Sequence, residues 1–546
     1  MKIIINKADM NITFNKKFPS AYISDYNKVK HFFPDPPFDI KNIEEVIKTR
    51  LKAMYPRQEL FKLLENRDNK YGDKTRRNIK LLQKENTLCI LTGQQPDLLT
   101  GPLYIIYKAL SIIKLSEILT NIYPQYNFVP IFWVSSFDHD IEEINQFTIP
   151  DKNHIPITFS FDIPKSKTPV SHIDINSRDI TNLKSFLKET LTPTEFTDEL
   201  LDNIETTGIN TFNINKFFIT IMQNLFNKWG LIILDGSNAN LNKLGIEIYE
   251  NEIMQPGRLN EIVRKNDILL AEAGFHSQVK LTPGSCNFFV EKNNERKKVI
   301  FDKNKFIIDS EEFSSSMLIS KLHSNPELFS PNVILRPILQ DYILPTLIYM
   351  GGPSEISYFG QFINEGYKIF NITSPIIWPR ASVTIIENSI NEISDKYKID
   401  LKNFLKEKNK PADITKNVIN IKSGYKIDDI FNKYIDLLNI AGKALCNDLI
   451  DISPEILSYF NKINTNYNND IKKFKNKLIQ NLKSNEEIAV KQILKFYNNL
   501  LPLNEYQERK INIFYYINKY GLQILDNIYD SITVDKPEHS IFIILP

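Results

Sequence analysis

Residues 91–109, LTGQQPDLLTGPLYIIYKA, set a short apolar run against a helical pattern, with two glycine-bearing turns between them. Upstream, Thr87–Leu91 reads as a buried strand. Thr100, Gly101 and Pro102 read as a helix opening, where proline is tolerated because the first-turn N–H it lacks has no helical partner. A strand handing over to a helix aims free backbone N–H groups and the positive end of a helix dipole at one point, a seat for a phosphate or a carboxylate.

Outward from this junction, apolar runs at 87–91, 128–134, 230–234 and 346–350 alternate with helical patterns. That alternation predicts a doubly wound α/β core, mostly parallel and covered on both faces. The expected organisation begins with N-terminal helices and the first part of the core over 1–149, with two or three short helices in 41–84. A first connecting insertion follows over 150–212, rich in Pro, Thr and Ser, where ITFSFDI resembles a small antiparallel element. The core resumes over 213–274, a second insertion with short strands occupies 275–330, and the core continues over 331–385. A helical domain then spans 386–505, and 506–546 returns to the core with HSIFIILP as a last strand. In the helical domain Ile471, Phe474, Leu478 and Leu482, and upstream Leu437, Ile440 and Ala444, step by three and four, predicting two long helices folded back as an antiparallel coiled coil. Asn464–Asn469 counts as a loop signal.

With 546 residues the chain exceeds one ordinary core, and its formal net charge of +2 provides no broad field for nucleic acid. Cys89, Cys286 and Cys446 stand far apart without CxxC spacing, which supports neither a disulfide framework nor a structural metal site and suits a reducing cytoplasm. No apolar run is long enough to span a bilayer, and MKIIINKADM lacks the features of a secretory signal, so a cytoplasmic location without membrane contact is expected.

Candidate chemistry gathers where strands end. On the helix after Gly101, the stripe Leu103, Ile106, Leu110, Ile113 faces the core, while Gly101, Tyr104 and Lys108 line another face, so Lys108 is expected to look away from the core and toward the anion seat formed with Thr92, Gly93, Gln94 and Gln95. A surface lysine on an amphipathic helix is the bland alternative. The second apolar run ends in WVSSFDHDIEEIN, which puts Asp138, His139 and Asp140 at the carboxyl edge where open parallel sheets bind ligands. A histidine flanked by carboxylates titrates near neutrality and suits accepting a proton from an attacking amine. Asp140 with Glu143 also reads as a capping box. Three consecutive side chains cannot share one pocket, so no metal site is expected there. Asp235 sits where it could reach a ribose hydroxyl or cap a helix. YMGGPSEISYFGQF repeats the opening theme: Gly351 and Gly352 end a strand, Pro353 and Ser354 begin a helix, and Glu355 and Tyr358 share a helical face. Neither turn carries the GK[ST] or G-x-G-x-x-G phosphate signatures. Arg336 and Arg380 lie in apolar surroundings and need an anion, either a bound acidic ligand or an internal carboxylate such as Asp341. Trp378 reads as core.

Taken together, TGQQP with TGPLYIIYKA, FWVSSFDHDIEEIN, LRPILQDYILPTLIYMGGPSEISYFGQF, WPRASVTI and YQER at 506–509 resemble the BshC family, the cysteine ligases of bacillithiol biosynthesis, over nearly the whole chain. Phe137 and Asp97 depart from the family pattern, standing where an acidic and a small residue are usual. The resemblance implies a Rossmann-like core related in outline to class I aminoacyl-tRNA synthetases, two connecting insertions and a coiled coil used in homodimerisation. It implies an amide-forming ligase that adds cysteine to the amine of glucosaminyl-malate, whose two malate carboxylates Lys108 and Arg380 could meet. Amide formation from a free carboxylate is uphill, so ATP or another activating nucleotide is expected, through an acyl adenylate or acyl phosphate, with Mg as its usual companion. The open alternative is a class I synthetase-like nucleotidyltransferase or ligase acting on another small acid and amine.

Overall fold

A computed structural model describes residues 2–65, 71–414, 427–449, 456–485 and 487–545. The chain divides into two compact units, Met1–Ile385 with Glu505–Pro546, and Ile386–Asn504.

The larger unit is built on a parallel sheet. Its strands are β1 (Thr87–Gln94), β2 (Asn127–Val134), β3 (Ile232–Asp235), β4 (Thr346–Gly351) and β5 (Ile376–Pro379), in the order β5-β4-β1-β2-β3. Every neighbouring pair is parallel. Strands buried on both faces carry continuous apolar runs, and successive side chains alternate between two cores. Leu88, Ile90, Phe128, Phe132 and Ile233 pack into one with helix α1 (Leu103–Ile122), while Cys89, Leu91, Val129, Ile131, Trp133 and Leu234 pack into the other. β5 carries no strand signal in the sequence, because IIWP is short and its proline obscures the pattern; Trp378 within it is fully buried, with its indole N–H on Val534 O at 2.7 Å.

Both insertions contain the predicted antiparallel strands. Gln146–Pro150 pairs with Pro156–Ser160, and the second insertion folds as an antiparallel sheet of five strands over residues 285–331. The first insertion also holds two long helices, Ser177–Thr190 and Thr197–Thr211. The chain opens with a strand, Lys2–Asp9, rather than with helices, and the final strand, Glu538–Leu545, pairs antiparallel with it in a separate three-stranded sheet. An N-terminal strand of this kind is stabilised by a partner more than five hundred residues away, and no local signal announces that pairing.

The smaller unit holds α3 (Ile427–Leu449) and α4 (Ile456–Asn485). They run antiparallel: the Phe431 ring packs tilted against Phe474 at 5.8 Å, Asn464 donates to Asn439 at 3.0 Å, and Asp428 pairs with Lys475. Gly442 faces Phe460, where a β-carbon would come within 2.2 Å of the ring, so the small residue sets the approach of the two helices. Asn464–Asn469 lies inside α4, not in a loop, because its polar side chains occupy the solvated surface of a long helix. The side chain of Leu482 lies outside the described residues.

Candidate functional site at the strand exits

From β1 the chain proceeds through β2 to β3 on one side, and β4 leads to β5 on the other. The order reverses between β1 and β4, and in open α/β sheets ligands bind in the crevice beyond the carboxyl ends at such a point. Gly351 ends β4 and Gly93 lies one residue before the end of β1, and Lys108 links the two exits. The Lys108 ammonium, carried on α1, donates to Gly93 O at 2.8 Å and Gln94 Oε1 at 3.1 Å, and meets Glu355 Oε2 at 2.6 Å. Glu355, on helix α2 (Pro353–Phe359), also accepts from Gly352 N at 2.7 Å and from the Tyr349 hydroxyl at 2.8 Å. Thr92 Oγ1 adds a bond to Met350 O at 2.7 Å.

Lys108 therefore does not look out to solvent. It is 2 % exposed, because the sheet end and α2 close over the face that helical spacing turns away from the core, which excludes the bland reading of a surface lysine. Burial, with Arg380 and Arg336 adding to it, pushes the ammonium below its ordinary range against the pull of Glu355. All three of its N–H donors are engaged, so it braces the crevice rather than offering a free anion contact. Gly93 has little room for a side chain, since a β-carbon would lie 3.3 Å from Trp133 O and 3.4 Å from Tyr349 Oη.

The turn from β1 into α1 is strained. Leu99, Thr100 and Gly101 have φ of 47°, 69° and 64°, a left-handed run costly for leucine and for β-branched threonine. Asn512, from the C-terminal segment, holds it by donating to Leu99 O and to Gly101 O, the latter at 2.8 Å. A β-carbon on Gly101 would fall 2.6 Å from the Asp97 β-carbon. Asp97 is buried, one carboxyl oxygen has no hydrogen-bond partner among the described residues, and burial with the nearby Glu143 charge pushes its carboxyl well above the usual range.

The β2 exit is tied to this crevice by Gln95, whose amide donates to Asp138 Oδ2 at 3.2 Å. Asp138 turns toward two arginines: Arg296 Nη1 at 2.9 Å from Oδ1 and Arg336 Nη1 at 3.5 Å from Oδ2. Burial alone would raise its carboxyl, but the two guanidiniums hold it below the ordinary range. Its partners make it an ion-pair anchor rather than a base. His139 is half-buried, its Nδ1 finds no hydrogen-bond partner among the described residues, and burial together with the Arg296 charge keeps the imidazole below its usual pKa. Asp140 is exposed and stands at the N-cap of the short helix Ile141–Ile144, but its side chain makes no capping bond, so the expected capping box with Glu143 is not formed.

Other candidates are placed differently from expectation. Asp235 is neither a helix cap nor open to a ribose: Oδ1 accepts from Ser136 Oγ, Ser237 N and Ser237 Oγ, and Oδ2 from Asn215 at 3.0 Å. Saturated by four donors, it ties the β3 exit to the β2 exit. Arg380 pairs with neither a free anion seat nor Asp341; it makes a two-pronged bridge to Glu508 at 3.1 and 2.7 Å, and Asp341 instead meets Arg50 at 3.9 Å and the Tyr367 hydroxyl at 2.6 Å. Arg380 thus cannot meet a malate carboxylate through its paired nitrogens without releasing Glu508, although its Nε, near Gly352, is buried without a hydrogen-bond partner among the described residues. Glu508 is the acidic residue of the YQER stretch, and Arg296 sits in an NNER sequence that reads as a surface turn; neither signalled its partner.

The groups that keep spare valence at the edge are few. Arg336 holds Asp138 only loosely and has further N–H donors. Tyr358 is buried beside Arg336 and Tyr349, its hydroxyl has no hydrogen bond of good geometry among the described residues, and burial pushes it up to about 12. Ser354, at the start of α2, accepts from Lys16 at 3.2 Å, and Tyr104 accepts from Gln94 at 3.1 Å beneath the Lys108 and Arg380 cations. Among the described residues no group of three His, Cys, Asp or Glu side chains could hold a metal ion, and no helix is long and apolar enough to cross a membrane.

Residues 5–381 match the family described as "Bacillithiol biosynthesis BshC, N-terminal Rossmann-like domain", and residues 383–544 match the C-terminal coiled-coil domain of the same family. The chain belongs to the BshC family. Relatives named "Putative cysteine ligase BshC" include those of Chloroherpeton thalassium, 30 % identical with 94 % of this chain and 92 % of the relative covered, and Desulforamulus reducens, 28 % identical with 95 % and 96 % covered. A third, from Salinibacter ruber, is 27 % identical with 95 % of each covered. The BshC match runs through both units, so the Rossmann-like core and the coiled coil belong to one family architecture.

Proposed function

We propose that this chain is an amide-forming ligase that joins the carboxyl group of cysteine to the amine of glucosaminyl-malate, the last step of bacillithiol biosynthesis, with the carboxylate activated by ATP or another nucleotide. Membership of the BshC family and the cysteine-ligase name of its relatives support the reaction class. The observation that carries the reading to this site is the convergence of three strand exits, with Lys108 bridging β1 and β4 and Gln95 linking β1 to the loop of His139. An uncharged imidazole with an uncommitted nitrogen suits taking the proton from an attacking ammonium-derived amine. Arg336, Tyr358 and Ser354 supply donors for substrate carboxylates or for charge developing on the carbonyl oxygen.

In balance, the cysteine carboxylate displaces pyrophosphate or ADP from the nucleotide, the amine attacks the activated carbonyl, AMP or phosphate leaves, and one proton passes to the base. Magnesium accompanies the nucleotide in this reading. Cellular thiol analysis by mass spectrometry tests it. Cells lacking the chain are expected to accumulate glucosaminyl-malate and lose bacillithiol; undiminished bacillithiol in cells with no second copy of the gene contradicts it. Cysteine labelled with 18O in its carboxylate sharpens the route: label in AMP marks an adenylate, label in phosphate an acyl phosphate.

A homodimer through the coiled coil is part of the same proposal. Tyr434, Leu437, Ile440, Tyr459, Tyr467 and Phe474 on α3 and α4 are each more than half exposed, an apolar surface that a second copy would cover. Ile440→Glu is expected to convert a dimer to a monomer in light scattering.

A further inference from the structure

The second insertion reaches into the strand-exit edge with one side chain. Arg296, on the strand Glu295–Asp302, is 5 % exposed and held through each of its three nitrogens: Nη1 to Asp138 at 2.9 Å, Nε to Ser330 Oγ at 2.9 Å, Nη2 to Pro331 O at 2.5 Å. Its guanidinium lies 3.9 Å from the centre of the Phe289 ring, and the His139 ring lies edge-on to the same phenyl at 6.4 Å between centroids. The first insertion grips the same loop from another side. Val170 N donates to Asp138 O at 2.8 Å, Ser171 N to Ser136 O at 3.0 Å, and Arg296 N itself to Lys167 O at 2.9 Å. Two insertions far apart in sequence thus converge on the loop 136–139.

We propose that Arg296 is a positioning residue for His139: by taking up the Asp138 carboxylate, it leaves the adjacent imidazole as an uncommitted proton acceptor. Without this partner Asp138 would keep only the looser Arg336 contact at 3.5 Å and the Gln95 amide at 3.2 Å, a less neutralised, half-buried anion next to the imidazole, and a carboxylate beside a histidine draws a proton onto it. The charged groups facing His139 are Arg296 on the second insertion, Lys167 on the first, and Asp138 and Asp140 on its own loop. The inference rests on His139 as the base of the proposed ligase, yet its test does not depend on turnover.

The test is the titration of the His139 ring in 13C-histidine-labelled full-length protein, followed by NMR and assigned with His139→Gln among the chain's 7 histidines. Arg296→Gln removes a cation and frees the Asp138 anion, so the His139 pKa is expected to rise by about one pH unit. Asp138→Asn leaves Arg296 uncompensated, so the pKa is expected to fall. Opposite signs identify the charge coupling, because mere loosening of the loop would move both variants upward, toward the value of a solvated imidazole. The double variant is expected between the singles, and Arg296→Lys, which keeps the charge, close to wild type. The acid limb of the rate profile should follow the same shifts in the active enzyme. If Arg296→Gln does not fold, the double variant, which buries no unpaired charge, is compared with Asp138→Asn: a higher His139 pKa in the double variant supports the proposal, and an equal or lower one overturns it. Equal signs in the two variants also overturn it. Failure of the ligase reading would leave these titrations unchanged, whereas failure of the positioning role would leave the ligase reaction in place.

Discussion

Two regions of the larger unit carry the same residue types to different ends. Around Arg380 an Arg, a Glu, a Ser and a His form a closed network. Arg380 bridges Glu508, Ser382 donates to Glu508 at 2.8 Å and contacts His539 Nδ1 at 2.9 Å, and Thr384 lies 3.0 Å from His539 Nε2. All five side chains are buried, and His539 has both ring nitrogens engaged. At the strand exits, by contrast, His139 Nδ1 has no hydrogen-bond partner among the described residues, and Arg336 meets Asp138 through Nη1 alone, at 3.5 Å. Serine, histidine and glutamate together do not make an active site; what separates the two regions is valence left open toward a ligand.

The comparison breaks most readily at Glu508. Glu508→Gln should cost about 3–5 kcal/mol of stability, because it strands Arg380 as an unpaired buried cation, while turnover per folded molecule stays near wild type; chemical denaturation with activity measured on the folded fraction checks both. Arg336→Gln should do the reverse, lowering kcat/KM about 10²–10³-fold with a smaller change in the denaturation midpoint, as steady-state kinetics would report.

A third measurement uses pH. His539 is held at about 4 by burial, below its unfolded value. The unfolded chain therefore binds the extra proton first as acid is added. Stability from this group is complete above about pH 6.5 and is lost as the pH falls toward 4, by about 3 kcal/mol in all. Thermal melts of wild type and His539→Asn across that window should diverge accordingly. The smallest effect is expected at Gly101→Ala, about 1–3 kcal/mol, since alanine must enter a left-handed conformation against Asp97; the melting temperature reads it.

The sheet was legible because parallel strands buried on both faces must be written as apolar runs, and the Gly-Pro turns after β1 and β4 are local devices. The pairing of charges was not. Arg296 meets Asp138 across 158 positions and Arg380 meets Glu508 across 128, and no periodicity records such distances. Helical spacing turns Lys108 away from the core and toward the strand-exit turn, but not into the buried ion pair with Glu355, since it says which residues share a face and not what covers it. The left-handed run Leu99–Thr100 was hidden for the complementary reason: neither residue favours that backbone, and the remote Asn512 holds it there.

The most direct test of the central claim is a single-turnover reaction of the purified full chain with cysteine, glucosaminyl-malate and ATP, followed by mass spectrometry in wild type and His139→Gln at matched folded concentration. The account predicts the cysteinyl amide in wild type and a rate about 10²–10⁴-fold lower in the variant. Equal rates in the two proteins would contradict it, because the bond would then be made away from the strand exits.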